Sequence, residues 1–152
     1  MKLLPRLIHA FARLCWYVLR PLTVGVRALL IQGDTVVLVK HTYQESWYLP
    51  GGGVKKGETL EAALRREVSE EISAQLGRLA LLGIYSNFYE YKSDHIVVFL
   101  CHDFTLNGKM DNEIEAFRLF KTTELPADIS PGSRRRIGEY LRGDSPPIVG
   151  KW

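Results

Sequence analysis

Apolar and polar positions alternate or run together in a way that predicts strands from residue 23 onward. Segments rich in Val and Leu at Thr23–Gln32 and Thr35–His41 flank a Gly33–Asp34 pair, which predicts a β-hairpin. A short extended piece, Trp47–Leu49, then leads into Pro50 and three consecutive glycines. The chain therefore builds a sheet first and leaves it through a glycine-rich loop.

A helix is predicted over residues 60–75. Thr59 is a suitable N-cap, and Glu61 lies in the first turn, where a negative charge is favourable. One apolar face recurs every fourth residue, at Leu60, Leu64, Val68 and Ile72. This face is expected to pack on the sheet.

The second half repeats strands followed by a helix. Two strands are predicted at Leu79–Tyr91 and His95–Thr105 around a turn at residues 92–94, and a third at Ile114–Lys121 after a polar loop. The last helix is predicted at Pro131–Leu141, with Ser130 as its N-cap and an exposed side formed by Arg134, Arg135 and Arg136. The order of elements predicts a mixed α+β sandwich.

The N-terminal segment has a different character. Residues 3–22 are largely apolar, but a polar stripe recurs at helical spacing, at Lys2, Arg6, His9, Arg13 and Arg20. These charges argue against a membrane span and a cleaved signal peptide. The pattern predicts an amphipathic helix ended by Pro21, which packs on its own domain or on a second copy, or lies on an anionic membrane.

Composition and charge narrow the class of protein. The length of 152 residues and the 46% of hydrophobic residues are typical of a single globular domain. The spacing of Cys15 and Cys101 matches neither a metal-binding nor a redox motif. Residues 1–27 carry five basic residues and no acidic one, whereas the remainder has 15 basic and 17 acidic residues. The basic excess is therefore local, and specific nucleic-acid binding is not expected. A cytoplasmic location is predicted, either free or on the inner face of a membrane.

Three carboxylates share one face of the first predicted helix. Glu67, Glu70 and Glu71 stand at i, i+3 and i+4, so their like charges repel unless something compensates them. Such a cluster most often forms a solvated acidic face. The alternative is a Mg²⁺ site, because hard cations select oxygen ligands.

The loop before this helix changes the weighting between these two readings. Gly51, Gly52 and Gly53 allow a phosphate or a helix to approach the backbone closely. Lys55 and Lys56 follow; they either attract a polyphosphate or form a solvated loop pair.

Residues 52–74 resemble the Nudix box, G-x5-E-x7-R-E-U-x-E-E-x-G-U, where U is aliphatic. Its first seven defined positions are matched by Gly52, Glu58, Arg66, Glu67, Val68, Glu70 and Glu71. Ser73 replaces the late glycine, so the helix is expected to end one turn later, with Gly77 as its cap. The resemblance implies a Nudix-type α/β/α sandwich with a mixed sheet at residues 23–152, preceded by the N-terminal helix at 1–22.

The resemblance also implies a hydrolase that cleaves a diphosphate bond in a nucleoside diphosphate linked to another moiety. Glu67, Glu70 and Glu71 would hold Mg²⁺, or Mn²⁺ in its place, and Arg66 and Glu58 would orient the loop against the helix. The general base would be a box glutamate or an acid on a later loop, where Glu113 is preferred to Glu115. The alternative is a non-catalytic Nudix-fold module that senses a nucleotide or binds a partner.

Substrate choice is less readable from the sequence. Aromatic residues that could stack on a base are Trp47, Tyr48, Phe88, Tyr89 and Tyr91, although aromatic residues in strands more often belong to the core. His41, His95 and His102 have no ligand spacing and are interpreted as ordinary strand residues.

Overall fold

The computed structural model describes residues 8, 11–12, 14–15, 17–18, 22–89 and 91–152. Two helices lie wholly within the continuously described ranges, α1 (Leu60–Ile72) and α2 (Pro131–Arg142). The strands are β1 (Leu22–Gln32), β2 (Thr35–His41), β3 (Trp47–Tyr48), β4 (Ala74–Leu76), β5 (Ala80–Tyr89), β6 (Lys92–Cys101), β7 (Phe104–Leu106), β8 (Ile114–Lys121) and β9 (Ile148–Lys151).

Within these residues, a seven-stranded mixed sheet forms in the order β3-β2-β1-β6-β5-β9, and β8 also pairs with β2. β1 and β6 are parallel, β5 and β6 are antiparallel, and β9 joins β5 in parallel. β4 and β7 form a separate two-stranded sheet beside the end of α1.

Alternation along the strands places one helix on each face of the sheet. On β1, Val26, Ala28 and Leu30 belong to the core that contains the apolar face of α1. Leu29 and Ile31 point the other way, into the core that contains Ile137 of α2. Successive side chains of a strand alternate between faces, so one strand supplies both cores. The predicted α/β/α sandwich is confirmed.

The exit of α1 differs from the prediction. Ser73 itself adopts the left-handed conformation, with φ 50° and ψ 34°, and its N–H bonds back to Ser69 O. The Ser73 carbonyl then accepts a hydrogen bond from Asn107 Nδ2 at 3.0 Å, and β4 begins at Ala74. The expected extension to Gly77 is therefore wrong, because β4 takes the chain directly into a strand pair.

The reversal between β5 and β6 also lies elsewhere. The polar residues 92–94 belong to β6, where Ser93 and Asp94 pair with the start of β1. Thr23 Oγ1 donates to Asp94 Oδ1 at 2.6 Å, which satisfies that carboxylate within the sheet. The chain reverses just before Lys92, with Tyr91 at a φ of 65°.

Arg136 is buried, with 2% of its surface exposed, and does not lie on the exposed side of α2. Its guanidinium lies 3.7 Å from the centre of the Tyr85 ring and donates to Glu139 Oε1 at 2.8 Å and to Lys151 O at 3.0 Å. The residue therefore ties α2 to β5 and to the unpredicted strand β9.

The predicted N-terminal helix lies mostly outside the described residues, and its division from the domain at residue 22 stays a prediction. The residues described between 8 and 18 have helical backbone. Tyr17 contacts Tyr91 edge to face, with 4.9 Å between ring centres. In the part of the chain that the structure covers, no helix is both long enough and apolar enough to span a membrane.

Candidate active site

The glycine loop runs along β1 and continues the sheet without being a regular strand. Val26 N donates to Gly52 O and Ala28 N to Pro50 O, both at 2.9 Å. Gly51 has a φ of 131°, and a Cβ atom there would overlap Val26 O. The loop therefore lies closer to β1 than a residue with a side chain allows.

Two carboxylates of α1, those of Glu67 and Glu71, lie against the same loop. Gly51 N donates to Glu71 Oε2 at 2.8 Å. A Cβ atom on Gly52 would overlap the Glu67 carboxylate, so the absence of a side chain makes room for it. Thr59 caps the helix, as predicted, by accepting a hydrogen bond from Ala62 N. Glu67 and Glu71 thus meet at adjacent glycines.

Arg66 forms hydrogen bonds with three carboxylates around the loop. Its guanidinium bonds to both oxygens of Glu58, at 2.6 and 2.9 Å, and to Glu67 Oε1 at 2.5 Å and Glu70 Oε2 at 3.2 Å. It also donates to Gly53 O at 3.1 Å. The hydrogen bonds from Arg66 are the main reason why the pKa of Glu58 falls to about 2. Arg66 therefore fastens the loop to the helix.

Glu71 is the exception among the three glutamates. It is 6% exposed, and burial raises its pKa to about 8, although the charge of Arg27 and the bond from Gly51 act in the opposite direction. His41 Nε2 lies 3.7 Å from Glu71 Oε1. Burial, helped by Arg27, lowers the pKa of His41 to about 4, so the imidazole is neutral near pH 7. The imidazole beside Glu71 is therefore neutral and does not compensate a negative charge on its carboxylate.

His41 is more than an ordinary strand residue, since it lies beside Glu71. Its Nδ1 is buried and has no hydrogen-bond partner in the described part of the chain. The rings of Tyr43 and Tyr48 lie 5.3 and 6.0 Å from its ring. Sequence reasoning missed this corner of the site because its residues come from the ends of separate strands.

The loop before β8 brings two further acids to this corner. Asp111 N donates to Glu71 O at 3.3 Å, and Thr42 N donates to Glu113 O at 2.9 Å. Asp111 Oδ1 accepts from the backbone of residues 113 and 114. Burial and then the Glu113 charge raise the pKa of Tyr43 to about 12. Glu113 is exposed and acts on the same corner electrostatically.

The other predicted residues lie in varied surroundings. Trp47 is buried and stacks edge to face on Phe120 at 4.9 Å, so it belongs to the core. Phe88 and Tyr91 are exposed and line a surface cavity of about 320 Å³ with Lys92 and Ser93. The Tyr89 side chain lies outside the described residues. Lys55, Lys56 and Glu115 are exposed.

Among the described residues, no group of three His, Cys, Asp or Glu side chains is arranged to hold a metal ion. Glu67 and Glu70 face Arg66, and Glu71 faces the Gly51 N–H. The oxygen donors are nevertheless of the kind that a hard divalent cation selects.

Comparison with known structures shows the fold. A structure of a MutT NUDIX hydrolase from Burkholderia pseudomallei superimposes with a TM-score of 0.71 at 26% identity, over 78% of this chain and 97% of that one. A NUDIX hydrolase from Nitrosomonas europaea gives 0.69 at 24% identity, over 86% and 78% of the two chains, and supports the fold.

Sequence relatives match over shorter stretches. An RNA pyrophosphohydrolase of Psychromonas ingrahamii is 39% identical over 57 residues, which are 38% of this chain and 32% of that protein. A nucleoside triphosphatase NudI of Escherichia coli is 43% identical over 53 residues, which are 31% and 38% of the two. The chain thus spans about a third of the length of these relatives. The NUDIX domain model matches residues 21–140, and the chain belongs to the Nudix hydrolase family.

Proposed function

We propose that this Nudix pyrophosphohydrolase depends on Mg²⁺ and cleaves a diphosphate bond in a nucleoside diphosphate linked to another moiety. The observation that supports it is the convergence of Glu67 and Glu71 on adjacent glycines of one loop. Mg²⁺ is commonly held by one or two carboxylates, and substrate phosphates and water complete its coordination. Two carboxylates at a backbone that a phosphate can approach match this requirement.

The charge on Glu71 gives the second argument. A buried carboxylate is costly unless a cation compensates it, and the neighbouring imidazole is neutral. Its raised pKa keeps Glu71 largely protonated near pH 7; a divalent cation held by Glu67, Glu70 and Glu71 would displace that proton and stabilise the carboxylate. Glu67 and Glu70 would then turn their oxygens from Arg66 to the cation, and both oxygens of Glu58 would still be available to Arg66.

Each residue then has a role in hydrolysis. Mg²⁺, when bound, neutralises phosphate charge and lowers the pKa of water. Arg66 and Glu58 are positioning residues, because they hold the glycine loop on α1. Glu113 accepts a proton from the attacking water; a bond forms from the water oxygen to phosphorus as the bond from phosphorus to the bridging oxygen breaks. The leaving phosphate carries away the electron pair of that bond.

Glu113 is preferred as the base because its carboxylate is exposed and beside the loop that contacts Glu71. Asp111 is nearby, but one of its oxygens is already occupied by two backbone N–H groups. A box glutamate is the alternative base. Loss of activity in Glu113→Gln, with metal affinity unchanged, supports Glu113; unchanged turnover favours the box glutamate.

The proposal is tested with a panel of nucleoside diphosphate derivatives in Mg²⁺, with products identified by mass. Wild type is expected to cleave at least one of them at a diphosphate bond. The control variant is Glu61→Gln, which removes an exposed carboxylate from the first turn of the same helix. Tight binding of one derivative without cleavage, in Mg²⁺ and in Mn²⁺, would favour the non-catalytic sensing module instead.

A second proposal concerns the N-terminal segment: we infer that residues 3–22 lie on an anionic membrane surface. The supporting observation is that four large apolar side chains among its described residues are more than half exposed, those of Ile8, Phe11, Leu14 and Val18. Basic residues of the segment complement anionic lipid. Full-length protein should sediment with anionic vesicles, less strongly as salt rises. Concentration-dependent dimerisation without vesicle binding would assign the apolar face to a second copy.

A further inference from the structure

Arg27 lies directly beneath the glycine loop. Its two neighbours on β1 donate their backbone N–H groups to that loop, Val26 to Gly52 O and Ala28 to Pro50 O. A Cβ atom on Gly51 would stand 3.1 Å from Arg27 Cα. The N–H of Gly51 in turn binds the Glu71 carboxylate. Arg27 is therefore separated from the carboxylate site by one residue of loop.

The Arg27 guanidinium is half-buried and poorly satisfied. Its one hydrogen bond within the described residues is a long one, 3.4 Å to Val26 O, and no described carboxylate lies within 4.0 Å of it. Arg66 and Arg136, by comparison, each donate to both carboxylate and carbonyl oxygens. A guanidinium carries five N–H donors in a planar fork, so most of the donors of Arg27 are unused.

The Arg27 guanidinium lies at the glycine loop. Its contact is Val26 O, the same atom that a Cβ on Gly51 would overlap. Lys55 and Lys56, the basic residues that the sequence offers for a polyphosphate, are exposed. Arg27 is thus a half-buried cation beside the glycine loop.

We propose that Arg27 binds a phosphate group of the substrate, on the Glu71 side of the site, through two of its N–H groups. This inference rests on the proposed function, because a polyanionic substrate has to approach three carboxylates. A guanidinium matches two phosphate oxygens at once, which fixes orientation as well as charge. The residue is therefore assigned to recognition of the diphosphate, whatever moiety is attached to it.

The test compares Arg27→Gln and Arg27→Lys with wild type. In Mg²⁺, Arg27→Gln should raise KM by about 10- to 100-fold, the range for losing hydrogen bonds to a charged group, with a smaller change in kcat. Arg27→Lys keeps the charge without the fork and should recover part of the loss. Arg142→Gln is the matched control, since Arg142 is exposed on α2 and pairs with Asp144; its KM should equal that of wild type.

Binding of a methylene-bridged nucleoside diphosphate, which cannot be cleaved at that bridge, separates this inference from the proposed function. Weakened binding in Arg27→Gln, with Mn²⁺ affinity unchanged, supports the phosphate contact even if wild type cleaves nothing. Binding and KM within twofold of wild type in both Arg27 variants would overturn it, even if wild type is an active hydrolase. If Arg27→Gln does not fold, Arg27→Lys decides: wild-type affinity would refute the two-point contact.

Discussion

Burial of the Glu71 carboxylate predicts that the metal-free protein becomes less stable as the pH rises from 6.5 to 8. The native pKa is about 8, against 4.5 for the free side chain. Between these values the native state binds more protons than the unfolded state, so the free energy of unfolding falls with rising pH.

His41 has the opposite effect in a lower window. Its native pKa is about 4, against 6.5 for the free side chain, so the unfolded state binds the extra proton there. Its contribution raises the free energy of unfolding between pH 4 and 6.5 and is complete above that range. From pH 6.5 to 8 most of the change comes from Glu71, because the unfolded-state histidine has only the last part of its titration left above its pKa of 6.5.

The magnitude follows from one proton per molecule. One pKa unit corresponds to about 1.4 kcal/mol, so wild type should lose about 2 kcal/mol over this window. Glu71→Gln keeps an oxygen for the Gly51 N–H and has no proton to lose. The variant should therefore lack this component, and the difference between the two proteins isolates Glu71 from all other titrating groups.

Urea unfolding with a chelator, at constant ionic strength and several pH values in this window, measures the effect. Buried Trp47 gives a fluorescence signal for unfolding. Mg²⁺ should stabilise wild type more at pH 8 than at pH 6.5, because binding at the lower pH must displace a proton. Equal pH dependence in wild type and Glu71→Gln would refute the argument.

Three further predictions test separate parts of the structure. Glu70→Gln should lower turnover at least about tenfold, whereas Glu61→Gln on the same helix should leave it unchanged. Equal turnover of the two variants at limiting Mg²⁺ would show that Glu70 is not a metal ligand. Ser73→Gly should raise the free energy of unfolding by about 0.5–1 kcal/mol in urea, because glycine accepts the left-handed conformation without strain; a loss of stability contradicts this. Arg136→Ala should cost about 3 kcal/mol, because it removes a buried guanidinium and leaves the Glu139 carboxylate with only the Tyr85 hydroxyl as its hydrogen-bond donor. Arg142→Ala, at an exposed position, should leave the thermal midpoint unchanged; similar midpoints for the two variants would show that Arg136 does not stabilise the fold.

Elements that are decided by local pattern were predictable from the sequence. β1 and β8 were placed within one residue, and the N-caps at Thr59 and Ser130 were identified, because alternation and capping are local properties. The reversal before β6 was not, since the polar residues 92–94 resemble a turn until β1 pairs with them. Tertiary pairing overrides local preference there.

The candidate site divides in the same way. Spacing along one helix identified Glu67, Glu70 and Glu71, since i, i+3 and i+4 positions are neighbours on any helix. Arg27 and His41 come from β1 and β2, and they meet Glu71 only after the glycine loop has packed on β1. No spacing in the sequence expresses that contact. The burial of Arg136 was not predicted either, because its partners lie on β5 and β9, far from it in the sequence.

The three glutamates therefore have the same sequence signature and different electrostatic states. Glu67 and Glu70 are compensated by Arg66, so a metal ion competes with a guanidinium for them. Glu71 is buried, holds its proton to about pH 8 and has a neutral neighbour, so a metal ion competes with that proton instead. Replacing Glu71 should make metal binding less dependent on pH, whereas replacing Glu70 should leave the pH dependence in place and lower the affinity. A titration of Mn²⁺ at pH 6.5 and at pH 8 distinguishes the two, and equal pH dependence in both variants would contradict this division of roles.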